Sequence, residues 1–91
     1  MLRHLLIFAI ILVSYQILAE YQEETGDFVK EDCVKGWEQQ PVVCRARKRI
    51  FHWDDSKKEC LKQFYSGCHK TRNNFVTLEE CKKIAEPICK A

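Results

Sequence analysis

Apolar residues fall along this chain in a few distinct patterns. Leu5 to Val13 is an unbroken apolar run behind the basic start Met1-Leu2-Arg3-His4, and Ile17-Leu18-Ala19 places a small residue ahead of Glu20. The run is too short to span a bilayer, so the expectation is a cleaved secretory signal peptide over residues 1–19. Residues 20–32 have few apolar positions and no period, and are expected to form an acidic, flexible arm. Lys48 to Asp54 and Glu59 to Tyr65 are rich in β-formers. Between them, Asp55-Ser56-Lys57-Lys58 supplies turn chemistry, which predicts a two-stranded hairpin. Such a hairpin is marginal alone and needs a surface to pack on.

The C-terminal pattern supplies that surface. Thr77-Leu78-Glu79-Glu80 is a capping-box signature, with Thr77 able to accept from a free backbone N–H while Glu80 reaches back. The helix it opens should run from Leu78 to about Glu86 and end at Pro87. Leu78, Cys81, Ile84 and Ala85 then form one apolar stripe facing the hairpin. The segment from Cys33 to Val43 reads as loop, punctuated by Gly36 and Pro41, with Trp37 as its anchor on the core. Pro41 fixes its own φ, so Pro41-Val42-Val43 should run extended into Cys44.

Composition changes the picture mainly through sulfur. The chain has 91 residues and six cysteines, all of them after residue 32. So short a domain buries too little apolar surface to be stable without staples, and a secreted chain is where disulfides persist. Six cysteines read as three bridges, with about fifteen pairings open to sequence alone. Charge is asymmetric: residues 20–32 carry six acids against Lys30, whereas residues 33–91 carry thirteen Lys or Arg against seven acids. A basic body of this kind is either a solvated surface or a face that steers toward an acidic partner.

Catalytic chemistry is sparse. Beyond the leader only His52 and His69 remain as histidines, and neither Gly-x-Ser-x-Gly nor His-Glu-x-x-His occurs. His52 reads as a strand residue and Asp54-Asp55 as turn chemistry. Cys68-His69 lacks the Cys-x-x-Cys partner that zinc needs. The expectation is a monomeric, non-enzymatic protein with no metal, no cofactor and no nucleic-acid partner. No Asn-x-Ser/Thr site invites an N-linked glycan.

The cysteine frame carries a resemblance. The gaps from Cys44 to Cys60, Cys68 and Cys81 are fifteen, seven and twelve residues, and Gly67-Cys68 is followed by Asn73, Asn74, Phe75 and Cys81 at characteristic distances. Together with Tyr65, Phe51 and Trp53, this resembles the Kunitz/BPTI-type inhibitor domain over Cys33 to Cys89. The resemblance implies a small disulfide-rich α+β fold for residues 33–91: a twisted antiparallel hairpin packed on a C-terminal helix. It also implies the pairs Cys33–Cys89, Cys44–Cys68 and Cys60–Cys81. Arg45 would be the primary specificity residue of an inhibitor of trypsin-like serine proteases, with Arg45–Ala46 the bond presented. Val43, Cys44, Arg45, Ala46 and Arg47 would lie along the protease cleft, with Ser66, Gly67 and His69 as a second edge.

The likeness has departures. Ten residues separate Cys33 from Cys44 where the family usually has eight, and seven separate Cys81 from Cys89 where it usually has three. Four extra residues amount to about one helical turn, which keeps Cys89 on roughly the same face. These outer gaps resemble divergent tick-salivary members. Val42 and Ser66 stand where inhibitory members have glycines, Gln63 where they have phenylalanine, and Ile50 where they have a basic residue. Some family members modulate ion channels instead, so a potassium-channel modulator is the alternative function. The cluster Arg45-Ala46-Arg47-Lys48-Arg49 also suits a sulfated polysaccharide.

Overall fold

The computed structural model describes residues 23–91; the expected signal peptide over 1–19 lies outside the described residues. A 3-10 helix covers Lys30–Val34, and strands β1 (Lys48–Asp54) and β2 (Glu59–Tyr65) follow. Two short helices close the chain, α1 (Leu78–Ile84) and α2 (Glu86–Cys89). The strands pair antiparallel, from Lys48 opposite Tyr65 to Asp54 opposite Glu59. The turn between them works as its residue types predict. The Asp54 carboxylate accepts from the Ser56 hydroxyl at 2.6 Å and the Lys57 N–H at 3.0 Å. Lys58 closes the turn in the left-handed region at φ 53°.

The core is Phe28, Cys33, Trp53, Phe75, Cys81, Ala85 and Cys89, with Phe51, Cys60, Ile84 and Ile88 packed against it. All three expected bridges are present: Cys33–Cys89, Cys44–Cys68 and Cys60–Cys81. The first and third tie the helices to the 3-10 helix and to β2. At these loop lengths each contributes about 3–4 kcal/mol, comparable in sum to the whole net stability of a small domain. Phe75 joins the hairpin without belonging to a strand. Its N–H donates to the Phe51 carbonyl and its carbonyl accepts from the Phe51 N–H, both at 2.8 Å.

Helix α1 begins where predicted: the Thr77 hydroxyl accepts from the Glu80 N–H at 3.1 Å. Along the expected stripe, Cys81 and Ala85 are fully buried while Leu78 and Ile84 are half-buried. The C-terminus differs from expectation, because Pro87 does not stop the helical path. Two helices meet at Ala85, whose backbone stays helical (φ −83°, ψ −43°), and Pro87 sits in the first turn of α2, where a missing N–H costs nothing. The extra residues before Cys89 therefore form their own turn, and that turn carries Cys89 to Cys33.

The N-terminal boundary also differs. Residues 20–32 read as an arm, yet Phe28 is buried against Phe75, with ring centroids 5.8 Å apart, and Asp32 is fully buried. Counting acids hides what they meet in space. The Asp32 carboxylate accepts from the Val29 N–H at 2.9 Å and the Arg72 Nε at 2.8 Å, with Lys35 Nζ at 3.3 Å. Arg72 reaches on to the Thr25 carbonyl. Asn73 is as deeply buried and fully engaged. It accepts from the Trp53 N–H at 2.8 Å and donates to the carbonyls of Trp53 and Lys35.

These buried groups set the response to acid. Burial alone would raise the Asp32 carboxyl, but the Arg72, Val29 and Lys35 contacts outweigh it and hold the carboxyl below its ordinary 3.8. Burial holds the His52 imidazole below its ordinary 6.5. Both groups bind protons more readily unfolded than folded, so each stabilises the protein above its ordinary value and loses that contribution as pH falls. Thermal melts should therefore decline in two stages, one below pH 6.5 and one below pH 3.8. Asp32→Asn should cost about 2–3 kcal/mol at neutral pH and shrink the second stage only. What remains of that stage is the share of Asp54 and Asp55, whose carboxyls are also held low by hydrogen bonds in and beside the turn. An unchanged acid limb in that variant would contradict this assignment.

Candidate functional site

Residues 42–47 have no regular secondary structure and leave Val42, Val43, Arg45, Ala46 and Arg47 exposed. What fixes this loop is a second segment, Ser66-Gly67-Cys68, directly after β2. The Cys44–Cys68 bridge joins the two segments with Cα atoms 5.9 Å apart. Two residues on, the Ala46 N–H donates to the Ser66 carbonyl at 2.9 Å. Between these fastenings lies Gly67, at φ 106°, where a Cβ would stand 2.9 Å from the Ala46 Cβ. Glycine meets both demands there, a left-handed backbone and a close approach.

The sequence-predicted residues divide into two groups. Val43, Cys44, Arg45, Ala46 and Arg47 form one strip, and Ser66, Gly67 and Cys68 lie beside it. The Arg45 side chain is exposed beside the bridge, whereas the Arg47 guanidinium lies over the Phe64 ring, 4.2 Å from its centroid. That stacking contributes about 0.5–1 kcal/mol at an exposed site and gives Arg47 a fixed direction. His69 takes the left-handed region at φ 61°, and its carbonyl accepts from the Gln39 N–H at 2.8 Å. It thus links segment 66–69 to the chain before the loop.

The four departures resolve individually. Val42 points into solvent, Ile50 is buried, and the Gln63 side chain is half-buried with its oxygen accepting from the Phe64 N–H at 3.2 Å. Ser66 is buried, and its hydroxyl donates to the Glu38 carboxylate. Glu38 also accepts from the Ser66 N–H at 3.4 Å and from Trp37 Nε1 at 3.1 Å. Trp37 is an anchor at the hairpin's edge, not in the main core. Its ring centroid is 4.8 Å from that of His52, and Nε1 also reaches the Phe64 carbonyl at 3.1 Å. Sequence reasoning missed Glu38, although one signal was there: it is the sole carboxylate between Asp32 and Asp54.

Among the described residues no cluster of three or more His, Cys, Asp and Glu could hold a metal ion. What the geometry offers is a short exposed peptide clamped from behind. A hairpin on a C-terminal helix with three disulfides, one of them beneath an exposed loop, defines a small disulfide-stapled domain. The chain belongs to the Kunitz/Bovine pancreatic trypsin inhibitor domain family, whose model matches residues 32–86. It is 43% identical over 49 residues to tissue factor pathway inhibitor of Mus musculus, covering 54% of this chain and 16% of that protein. It is 49% identical over 41 residues to KappaPI-actitoxin-Avd3a of Anemonia sulcata, covering 45% of this chain and 66% of the toxin. Among solved structures it resembles calcicludine, with a TM-score of 0.51 and 25% identity, over 70% of this chain and 93% of that one. The chain thus spans only part of these curated relatives.

The clamp gives a direct prediction for Gly67. Gly67→Ala should cost about 1–3 kcal/mol through its strained φ and the collision with Ala46. Thermal denaturation measures the loss, and the Ala46 amide resonance should move. A variant with wild-type stability and an unmoved Ala46 amide would contradict the close packing.

Proposed function

We propose that this protein is a secreted inhibitor of trypsin-like serine endopeptidases that presents the Arg45–Ala46 bond as bait. The observation that supports it is the exposed Arg45 immediately beside the Cys44–Cys68 cross-link. A trypsin-like enzyme carries a carboxylate at the base of its specificity pocket, and a guanidinium matches it in charge and geometry. Binding alone would make Arg45–Ala46 a substrate. A cross-linked loop loses little entropy on docking, and after cleavage it keeps the two new ends together, so the bond can re-form. On this reading Val43, Cys44, Ala46 and Arg47 line the cleft, while Ser66, Gly67 and His69 meet its other wall. The membership of tissue factor pathway inhibitor among the relatives is consistent with that use. Secretion follows from the same proposal, since three disulfides need an oxidising compartment. The affinity of the outer cysteine spacing with tick-salivary members belongs to the proposal as well.

A second reading is favoured by the kinship with an actitoxin: a modulator of potassium channels that uses exposed basic and aromatic residues. Phe64 beneath Arg47, with Arg49 beside it, would be its surface. A sulfated polysaccharide would meet much the same cluster.

Inhibition assays against trypsin separate the two. Arg45→Ala should weaken inhibition by about a thousandfold or more, as expected for a central anchor, while Arg45→Lys should stay within about tenfold. Wild-type protein that leaves trypsin-like enzymes untouched at micromolar concentration would end the inhibitor reading. Current recordings on potassium channels would then test the second.

A further inference from the structure

We infer that Glu38 is a positioning residue for the exposed loop, holding the Arg45–Ala46 peptide still through Ser66. This rests on the reading of that peptide as the bond presented. The Ser66 carbonyl takes the Ala46 N–H, so any movement of Ser66 is passed to the leaving side of the bond. Ser66 itself is tied down from behind. Its hydroxyl and its N–H both reach the Glu38 carboxylate, one to each oxygen. Trp37 Nε1 shares the second oxygen and also binds the Phe64 carbonyl, which keeps the carboxylate aimed along the end of β2. The backbone around Glu38 is equally constrained. Glu38 forms a bridge with Lys70, and the Gln39 N–H donates to the His69 carbonyl.

Hydrogen bonds to an ionised acceptor are about twice as strong as neutral ones, and these are partly sheltered from water. The result is a second clamp in parallel with the Cys44–Cys68 bridge. The disulfide restrains Cys44, before the bond; the Glu38–Ser66 pair restrains Ala46, after it. A bond held on one side only could still swing away after cleavage. Holding both sides is what favours re-closure over release, because the new amine stays beside the acyl group.

The prediction is read on two scales, using the intact disulfide-bonded protein. Amide hydrogen exchange followed by NMR should show Ala46 exchanging about tenfold or more faster in Glu38→Ala and in Ser66→Ala. The Phe51 and Phe75 amides, across the hairpin, should keep wild-type rates. Glu38→Gln retains one acceptor oxygen and should fall between, a graded response that a merely structural role would not give. With trypsin, Glu38→Ala should keep initial inhibition within a few-fold, since Arg45 is untouched, yet its Arg45–Ala46 bond should be hydrolysed about tenfold faster. Unchanged Ala46 exchange, a uniform rise at all amides, or wild-type hydrolysis despite faster exchange would each overturn the assignment. If the wild type fails to inhibit trypsin at all, the Arg45 reading falls, and the exchange arm still decides whether Glu38 holds the loop.

Discussion

Segments 44–46 and 66–68 are fastened to each other at successive points, and the shape of the exposed loop follows from how. The Cys44–Cys68 bridge sets their separation, the Ala46 N–H to the Ser66 carbonyl sets their alignment, and the bare Cα of Gly67 sets how closely they approach. Each fastening controls something the others leave free. The disulfide alone would let the loop pivot, and the hydrogen bond alone would exchange with water. Segment 66–68 can act as an anvil because it continues β2, whose register is locked along seven residue pairs. What stands exposed at Arg45 therefore inherits its rigidity from a hairpin that lies behind it.

The remainder of the fold exists to make that hairpin stable in a very small domain. Apolar burial is limited to a handful of side chains around Phe28, Trp53 and Phe75, so sulfur and the hydrogen-bonded Asn73 and Asp32 complete the interior. Asn73 is the clearest instance. It bonds both backbone groups of Trp53 and reaches the Lys35 carbonyl, tying the incoming chain to β1 from inside the core. Asp32 does the same for the N-terminal turn through Arg72. Such buried groups contribute only when every hydrogen-bonding position is met, and both are well supplied. Specificity of fold, more than brute stability, is what they add.

Local signals made much of this legible from sequence, and non-local ones hid the rest. Both strands begin and end where the runs rich in β-formers and the Asp55–Lys58 turn place them, because those forces act between neighbours. Thr77 opens α1 for the same reason. The disulfide pairing is legible only through family likeness, since spacing alone leaves the pairs open. Phe28 and Asp32 read as part of an arm because an acidic stretch looks solvated; their partners, Phe75 and Arg72, lie far along the chain. Pro87 reads as a stop in a helix interior but is tolerated in a first turn, and only the start of a new helix after Ala85 decides between the two. Glu38 stands out in sequence only as an isolated carboxylate, because its importance depends on Ser66, a residue that reads in sequence as the loss of a glycine.

If the clamp makes hydrolysis of Arg45–Ala46 unprofitable, as proposed, a bond already cut should re-form. Protein cut at Arg45–Ala46, with all three disulfides intact, would be incubated with a catalytic amount of trypsin and followed by mass spectrometry. Water should be lost and the intact chain should accumulate until it predominates, since the Cys44–Cys68 bridge holds the Arg45 end and the Ser66 carbonyl holds the Ala46 end. Cut protein that stays cut, or is degraded further, would contradict that expectation.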